Sequence, residues 1–190
     1  MTAALVLALL AMTGVLVAVL VIGGVRRRRQ RHRDAPLAAA RRRILFPFLG
    51  QALSTSALDA ALRISRVEGA VLVPAYLAVV PRRLPLGSAL PAECAVALPL
   101  LEAVEHRAAG VGVSVEARIE RGRSVRHATR QLLETERYDR LVVPADSGGG
   151  DGFGSDDIAW LLRVVAGEIV VVRPADSEPV GGVLAPAGAA

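Results

Sequence analysis

Apolar and polar residues follow one pattern before Arg26 and a different one after Arg43. From Ala3 to Val25 the run is apolar, interrupted only by Thr13 and three glycines. About 20 residues at 1.5 Å rise cross a bilayer's hydrocarbon core, so the run predicts one transmembrane helix over residues 1–25. Beyond Arg43, short Val/Ile/Leu runs alternate with longer stretches whose apolar positions recur at helical spacing. Ile44–Leu49 and Ala70–Tyr76 predict strands. Between them Ala57–Val67 predicts a helix, capped by Ser56 and stopped at Gly69. The Pro/Arg-rich loop Pro81–Leu90 leads to Pro91, well placed at a first helical position, and a helix running to about Ala109. Gly110 should stop that helix, and Pro99 inside it should kink or break it. Val113–Ile119 alternates apolar and polar residues, as a half-exposed edge strand does. Ser124 should cap a helix with apolar positions at Val125, Ala128, Leu132 and Leu133, followed by a strand at Leu141–Pro144. A Gly-rich loop comes next, then a helix over Asp156–Ala166 capped by Ser155, and a last strand at Glu168–Val172.

This β-α-β-α-β-α-β-α-β order predicts a five-stranded parallel sheet covered by helices on both faces, an α/β sandwich preceded by the membrane helix. Ligands of such sheets bind beyond the carboxyl ends of the strands, at the switch point between the halves. The loops after the first and fourth strands are therefore where a site should lie. The resulting organisation is a span over 1–25, a basic linker over 26–41, an α/β domain over 42–174 and an Ala/Gly/Pro-rich, disordered tail over 175–190.

Charge assigns each part a side. All of the 23 basic residues are Arg, and nine of them fall between Arg26 and Arg43, opposed only by Asp34. The block Arg26–Arg33 resists translocation, which predicts the N-terminus outside and the domain on the cytoplasmic side of the membrane. The same arginines can lie against anionic lipid at about 1 kcal/mol each. Beyond Arg43, 14 Arg face 17 acids. The basic excess is therefore a block beside the membrane segment and is not spread over the folded surface, which argues against a nucleic-acid partner. The absence of Lys excludes P-loop and Schiff-base chemistry. Cys94 is the only cysteine, so no internal disulfide is possible. His106 and His127 have no carboxylate or thiol at ligand spacing, and no nucleophile–base pair can be assigned. The expectation is a non-enzymatic module.

The segment Ala145–Asp157 is the one stretch with a candidate chemistry. Glycines entering a helix N-terminus can expose backbone N–H groups to an anion, or can serve only to turn the chain. Gln51, Ser54 and Thr55 in the loop after the first strand could contact a ligand or simply cap and solvate.

Strand, Gly loop, Gly154-Ser155, helix, Val-rich strand and Arg173-Pro174 together resemble the C-terminal third of universal stress proteins. That family's nucleotide loop reads G-x-x-G, nine residues, then G-S or G-T. Here Ala145-Asp146-Ser147-Gly148 resembles the first part with Ala for Gly, and Gly154-Ser155 the second, with only five residues between. Ile44–Phe48, Glu120-Arg121-Gly122 and Tyr138–Val143 fall where the family has similar residues, so the likeness covers about Arg42–Pro174. It implies the adenine nucleotide alpha hydrolase-like fold and a binding or regulatory role. By the same likeness, ATP or another adenine nucleotide with Mg would be the ligand, held by Phe48, Leu49, Gly50, Ala75, Ala145, Gly148, Gly154 and Ser155, with Pro74 and Tyr76 flanking. It also implies a homodimer through the last strand. Leu49 stands where nucleotide-binding members carry Asp, and Asp146, Asp151, Asp156 and Asp157 would repel a triphosphate. The alternative is a ligand-free protein-interaction module regulating a membrane partner such as a transporter.

Overall fold

The computed structural model describes residues 42–146 and 151–173. The predicted span, the linker up to Arg41, Gly148 and the tail lie outside them. Among the described residues no helix is long and apolar enough to cross a membrane.

Nine elements alternate without exception: β1 (Arg43–Phe48), α1 (Thr55–Glu68), β2 (Val71–Val79), α2 (Pro91–Gly110), β3 (Arg118–Gly122), α3 (Val125–Thr135), β4 (Arg140–Pro144), α4 (Ser155–Val164) and β5 (Glu168–Val172). The strands form one parallel sheet in the order β3-β2-β1-β4-β5. Side chains alternate across it and divide the core in two. Ile44, Phe46, Phe48, Leu72, Tyr76 and Val142 pack with α1 and α2 on one face. Leu45, Val73, Ala75, Leu77, Leu141 and Val143 pack with α3, α4 and Phe153 on the other. Both faces are dry around β1, β2 and β4, which is why these three strands read as apolar runs.

Prolines decide where the ladders stop. The Arg42 carbonyl accepts from Val71 N–H on the β2 side, and the Arg43 carbonyl accepts from Asp139 N–H on the β4 side. Alternation therefore turns Pro47 toward β4. On β4, Ala145 N–H donates to Val172 of β5, which turns Pro144 toward β1. The rung after Leu45↔Leu141 would need a donor from Pro47 and another from Pro144, and proline has none. The β1–β4 pairing ends at Leu45, although β1 pairs with β2 as far as Phe48↔Tyr76.

The same reasoning corrects the third strand, expected at Val113–Ile119. Val115 bridges Leu72, and regular pairing resumes only at Ala75↔Arg118, in the same register. Pro74 faces β3 and lacks the N–H for the missing rung, so the strand runs instead over Arg118–Gly122. Two caps also differ from expectation. Ser54, not Ser56, caps α1 by accepting from Ala57 N–H at 3.3 Å. Gly154, not Ser155, caps α4. Pro99 does not break α2, which continues from Pro91 to Gly110. Pro99 is exposed, so the bond it forfeits lies on the wet side, and Ala97, Leu101 and Val104 keep the buried stripe. At the β3–α3 junction a Cβ on Gly122 would lie 2.4 Å from Ala128 N, so only glycine lets α3 approach.

At the amino ends of the strands, arginines and carboxylates interlock. Arg43 donates to Glu116 at 2.6 Å and Glu136 at 2.8 Å, Arg118 also reaches Glu136, and Arg140 reaches Glu68 and Glu168. Tyr138 sits against this network. Burial, and then the neighbouring Glu136 charge, push its hydroxyl up to about 12. A phenol whose folded pKa lies above the unfolded value of about 10 loses stabilisation as pH rises between the two values, because the unfolded chain releases the proton first. Stability followed by denaturant unfolding should therefore fall between about pH 10 and pH 12, and Tyr138→Phe should flatten that slope.

Candidate functional site

The switch point of this sheet lies between β1 and β4, beyond their carboxyl ends. The two missing proline donors splay the strands apart there, and the chain itself fills the gap. Phe153 N–H donates to the Pro144 carbonyl at 2.8 Å, and Asp146 N–H donates to the Phe153 carbonyl at 3.0 Å. This makes a parallel bridge between Ala145 and Phe153. Pro144 faces β1, so the 151–153 segment stands beside β4 where the end of β1 would have paired. The Phe153 ring is 1% exposed, packed under the sheet with Leu45, Val143 and Trp160. A Cβ at Gly152 would lie 2.6 Å from Asp146 N, so glycine is what allows so close a return.

Asp151 closes the other side. Its carboxylate accepts from Gln51 N–H at 2.9 Å, joining the loop after β4 to the loop after β1. Gly50 has φ +79°, and a Cβ there would lie 1.9 Å from the same carboxylate oxygen. Glycine is thus required at this position both by backbone conformation and by the acid resting on it.

Beside this closure is an open cleft of about 330 Å³, lined by Leu49, Gly50 and Gln51 after β1, Tyr76, Leu77 and Val79 of β2, and Ala92, Glu93 and Val96 of α2. Its size is at the low end of small-molecule sites, which run from about 300 to 1,000 Å³. The Tyr76 hydroxyl donates to Glu93 at 2.9 Å. Burial first, and then that hydrogen bond, hold its pKa well above the usual phenol range. The lining carries one carboxylate and no cation. Among the described residues no group of three or more acids, histidines or thiols is placed to hold a metal ion.

The expected site residues separate in space. Leu49 and Gly50 line the cleft, and Tyr76 forms its floor. Phe48 is 1% exposed, stacked on Phe46 and edge-on to Tyr76, so its ring supports the cleft without facing it. Ala75 is buried on the opposite face of the sheet. Ala145 is occupied by the bridge to Phe153. Gly154 and Ser155 begin α4 and are not among the cleft residues. Gly148 lies outside the described residues. Asp157, expected to face a ligand, is instead paired with Arg126 of α3 at 2.6 Å.

Leu77, Val79, Ala92, Glu93 and Val96 were not expected in the lining, nor Phe153 in the core. Phe153 carried a signal: it is the one aromatic residue in a run of Gly, Asp and Ser, where a connector has no use for a ring.

No family model matches the sequence, and no curated protein matches it. Solved structures do. A universal stress protein family member from Burkholderia pseudomallei matches with a TM-score of 0.53 and 20% identity, covering 73% of this chain and 100% of that one. A universal stress protein from Archaeoglobus fulgidus matches with a TM-score of 0.52 and 10% identity, over 69% of this chain and 97% of its own. One from Lactobacillus plantarum matches with a TM-score of 0.50 and 18% identity, over 70% of this chain and 99% of its own. The α/β domain therefore has the fold of universal stress proteins.

Removing the Asp151 carboxylate should release the loop after β1. In Asp151→Ala, the amide of Gln51 should exchange faster with solvent, and unfolding free energy should fall by about 1 kcal/mol, the worth of one partly exposed hydrogen bond.

Proposed function

We propose that this chain is a membrane-tethered, universal-stress-protein-like binding and regulatory module. It performs no catalysis, and in its resting state its switch-point crevice is closed by its own Asp151. The observation that carries the reading is the Asp151 carboxylate seated on Gln51 N–H, against Gly50, with Phe153 paired to β4 behind it. A phosphate entering at the switch point would meet that carboxylate first. At 4 Å two unit charges repel by about 4 kcal/mol at an effective dielectric constant of 20. An adenine nucleotide, the ligand implied by the family likeness, would thus bind weakly and only by displacing Asp151.

The tether rests on two features of the sequence. The uncharged run over 3–25 is long enough to span a bilayer, and Arg26–Arg33 behind it favour the cytoplasmic side for the domain attached to them. A closed crevice on a tethered domain also supports the second reading, a ligand-free module that works through protein contacts at the membrane.

Calorimetric titration of the full-length chain with ATP, with and without Mg, separates these readings. The wild-type chain should show no saturation below millimolar nucleotide, while Asp151→Asn should bind measurably. Micromolar binding by the wild type would sink the closed-crevice reading; no binding by either protein would favour the ligand-free module. Orientation is a separate test. A cysteine at exposed Ser114, in a Cys94→Ser background, should resist an impermeant maleimide in intact cells and react after lysis; labelling of intact cells would overturn the cytoplasmic assignment.

A further inference from the structure

The other end of the sheet from β5 has an open edge and a concentration of cations without acid partners among the described residues. β3 is the last strand on its side, with β2 as its one neighbour. Val80 N–H donates to the Gly122 carbonyl, and Glu116 N–H donates to the Leu72 carbonyl, so the even-numbered residues of this segment turn toward β2. The N–H and C=O groups of Ala117, Ile119 and Arg121 therefore point outward along the edge. A row of this kind is a template for another strand; no proline interrupts Arg118–Gly122, and the charges of Arg118, Glu120 and Arg121 restrict which strand can pair there.

Four guanidinium groups gather where that edge ends. Arg82 and Arg83 are the exposed central residues of a turn closed by Leu84 N–H on the Pro81 carbonyl at 3.0 Å. Arg123 holds the turn from beneath, donating to the carbonyls of Pro81 at 2.7 Å and Leu84 at 2.8 Å. Arg121 reaches the Gly87 carbonyl at 3.4 Å. None of the four forms an ion pair among the described residues, whereas Arg43, Arg118, Arg126 and Arg140 are all matched to acids. Glu120, the nearest acid in sequence, alternates to the other face of the strand. The first turn of α3, capped by Ser124, adds its partial positive charge at the same corner.

We propose that the free edge of β3 docks an extended acidic peptide segment of a partner protein, added as a sixth strand, with Arg82, Arg83, Arg121 and Arg123 pairing its carboxylates. The open backbone row selects a peptide over other polyanions, because main-chain hydrogen bonds along an edge require main-chain partners. A single-stranded nucleic acid would look for aromatic stacking platforms. In this domain Phe46, Phe48, Tyr76 and Phe153 are buried elsewhere. Residues 42–174 carry 16 Arg against 15 acids, so the patch is a local concentration of cations on a nearly neutral domain and also orients the partner.

The test uses the full-length chain in neutral detergent with a fluorophore on Ser114→Cys in the Cys94→Ser background, so that binding near this edge is read separately from binding to the basic linker. The probe is a blocked peptide of about eight residues alternating Val and Glu. It should saturate the signal at low ionic strength. Arg82→Ala/Arg83→Ala should weaken it about tenfold, while Arg63→Ala/Arg66→Ala, which removes two exposed arginines of α1, should leave it unchanged. Ile119→Pro, which deletes one outward N–H and leaves the β2 ladder its donors, should abolish binding. The same peptide N-methylated on alternate amides should fail on the unaltered edge, which keeps the answer readable should the proline variant misfold. Equal binding by the N-methylated peptide, equal loss in both arginine pairs, or saturation by a uridine oligonucleotide or by phosphatidylserine vesicles but not by the peptide would each overturn the proposal.

Discussion

A single rung that cannot form between β1 and β4 organises the upper half of this domain. Pro47 and Pro144 are turned toward each other across the sheet, and both donors that would extend the ladder past Leu45↔Leu141 are absent. A parallel sheet in this position must either leave polar backbone unpaired or bring something in to pair it. The chain brings in residues 151–153, whose own backbone bonds to β4 and whose Phe153 ring completes the core beneath. Asp151 is carried to Gln51 as a consequence, and Gly50 and Gly152 are glycines because the returning segment leaves no room for Cβ atoms. Closure of the crevice thus arises from the strands' own sequence. The loop's composition only makes it sterically possible.

Much of this was legible in the residues themselves. Nine alternating elements, the parallel sheet and the two loops at its switch point follow from apolar run length and glycine and proline punctuation. What periodicity alone misplaced was the third strand, because the alternation of Val113–Ile119 reports burial and says nothing about the neighbour's donors. Pro74, on the neighbouring strand, decides that point. Ser56 and Ser54 are equally good caps by residue type, and only the local φ and ψ choose between them. The cleft was half legible. Leu49, Gly50 and Tyr76 lie at strand ends, where the fold places sites, but Glu93 and Val96 arrive from the start of α2, whose angle of approach no local pattern encodes. Ala75 is not among the lining residues; it is packed in the core on the other face of the sheet.

Charge divides the domain into two chemically different ends. At the amino ends of the strands Arg43, Arg118 and Arg140 are each matched to acids from separate elements, so the guanidiniums cross-link the ends of β1, β3 and β4 to α1, β5 and the segment after α3. These pairs are half-buried, where partner loss costs more than on an open surface. At the carboxyl ends Arg126 still pairs with Asp157, but Arg121 and Arg123 bond to backbone carbonyls, Arg82 and Arg83 are exposed, and Asp151 accepts from a backbone N–H. Groups that spend their charge on main chain keep most of it available to a third party.

Fold likeness at 10–20% identity therefore transfers the scaffold here and leaves the site to be argued from its own residues. In a doubly wound sheet the switch-point crevice is free to accept a ligand because the two central strands diverge. Here that divergence is present and is consumed internally by Phe153 and Asp151. Open backbone and guanidiniums without acid partners lie on the rim, at the outward row of β3 and the arginines at its end. A domain whose crevice is self-paired while its edge is not is better suited to recognising another chain than a small anion. The physical reason is that unmet hydrogen-bonding capacity has been moved from the centre of the sheet to its border.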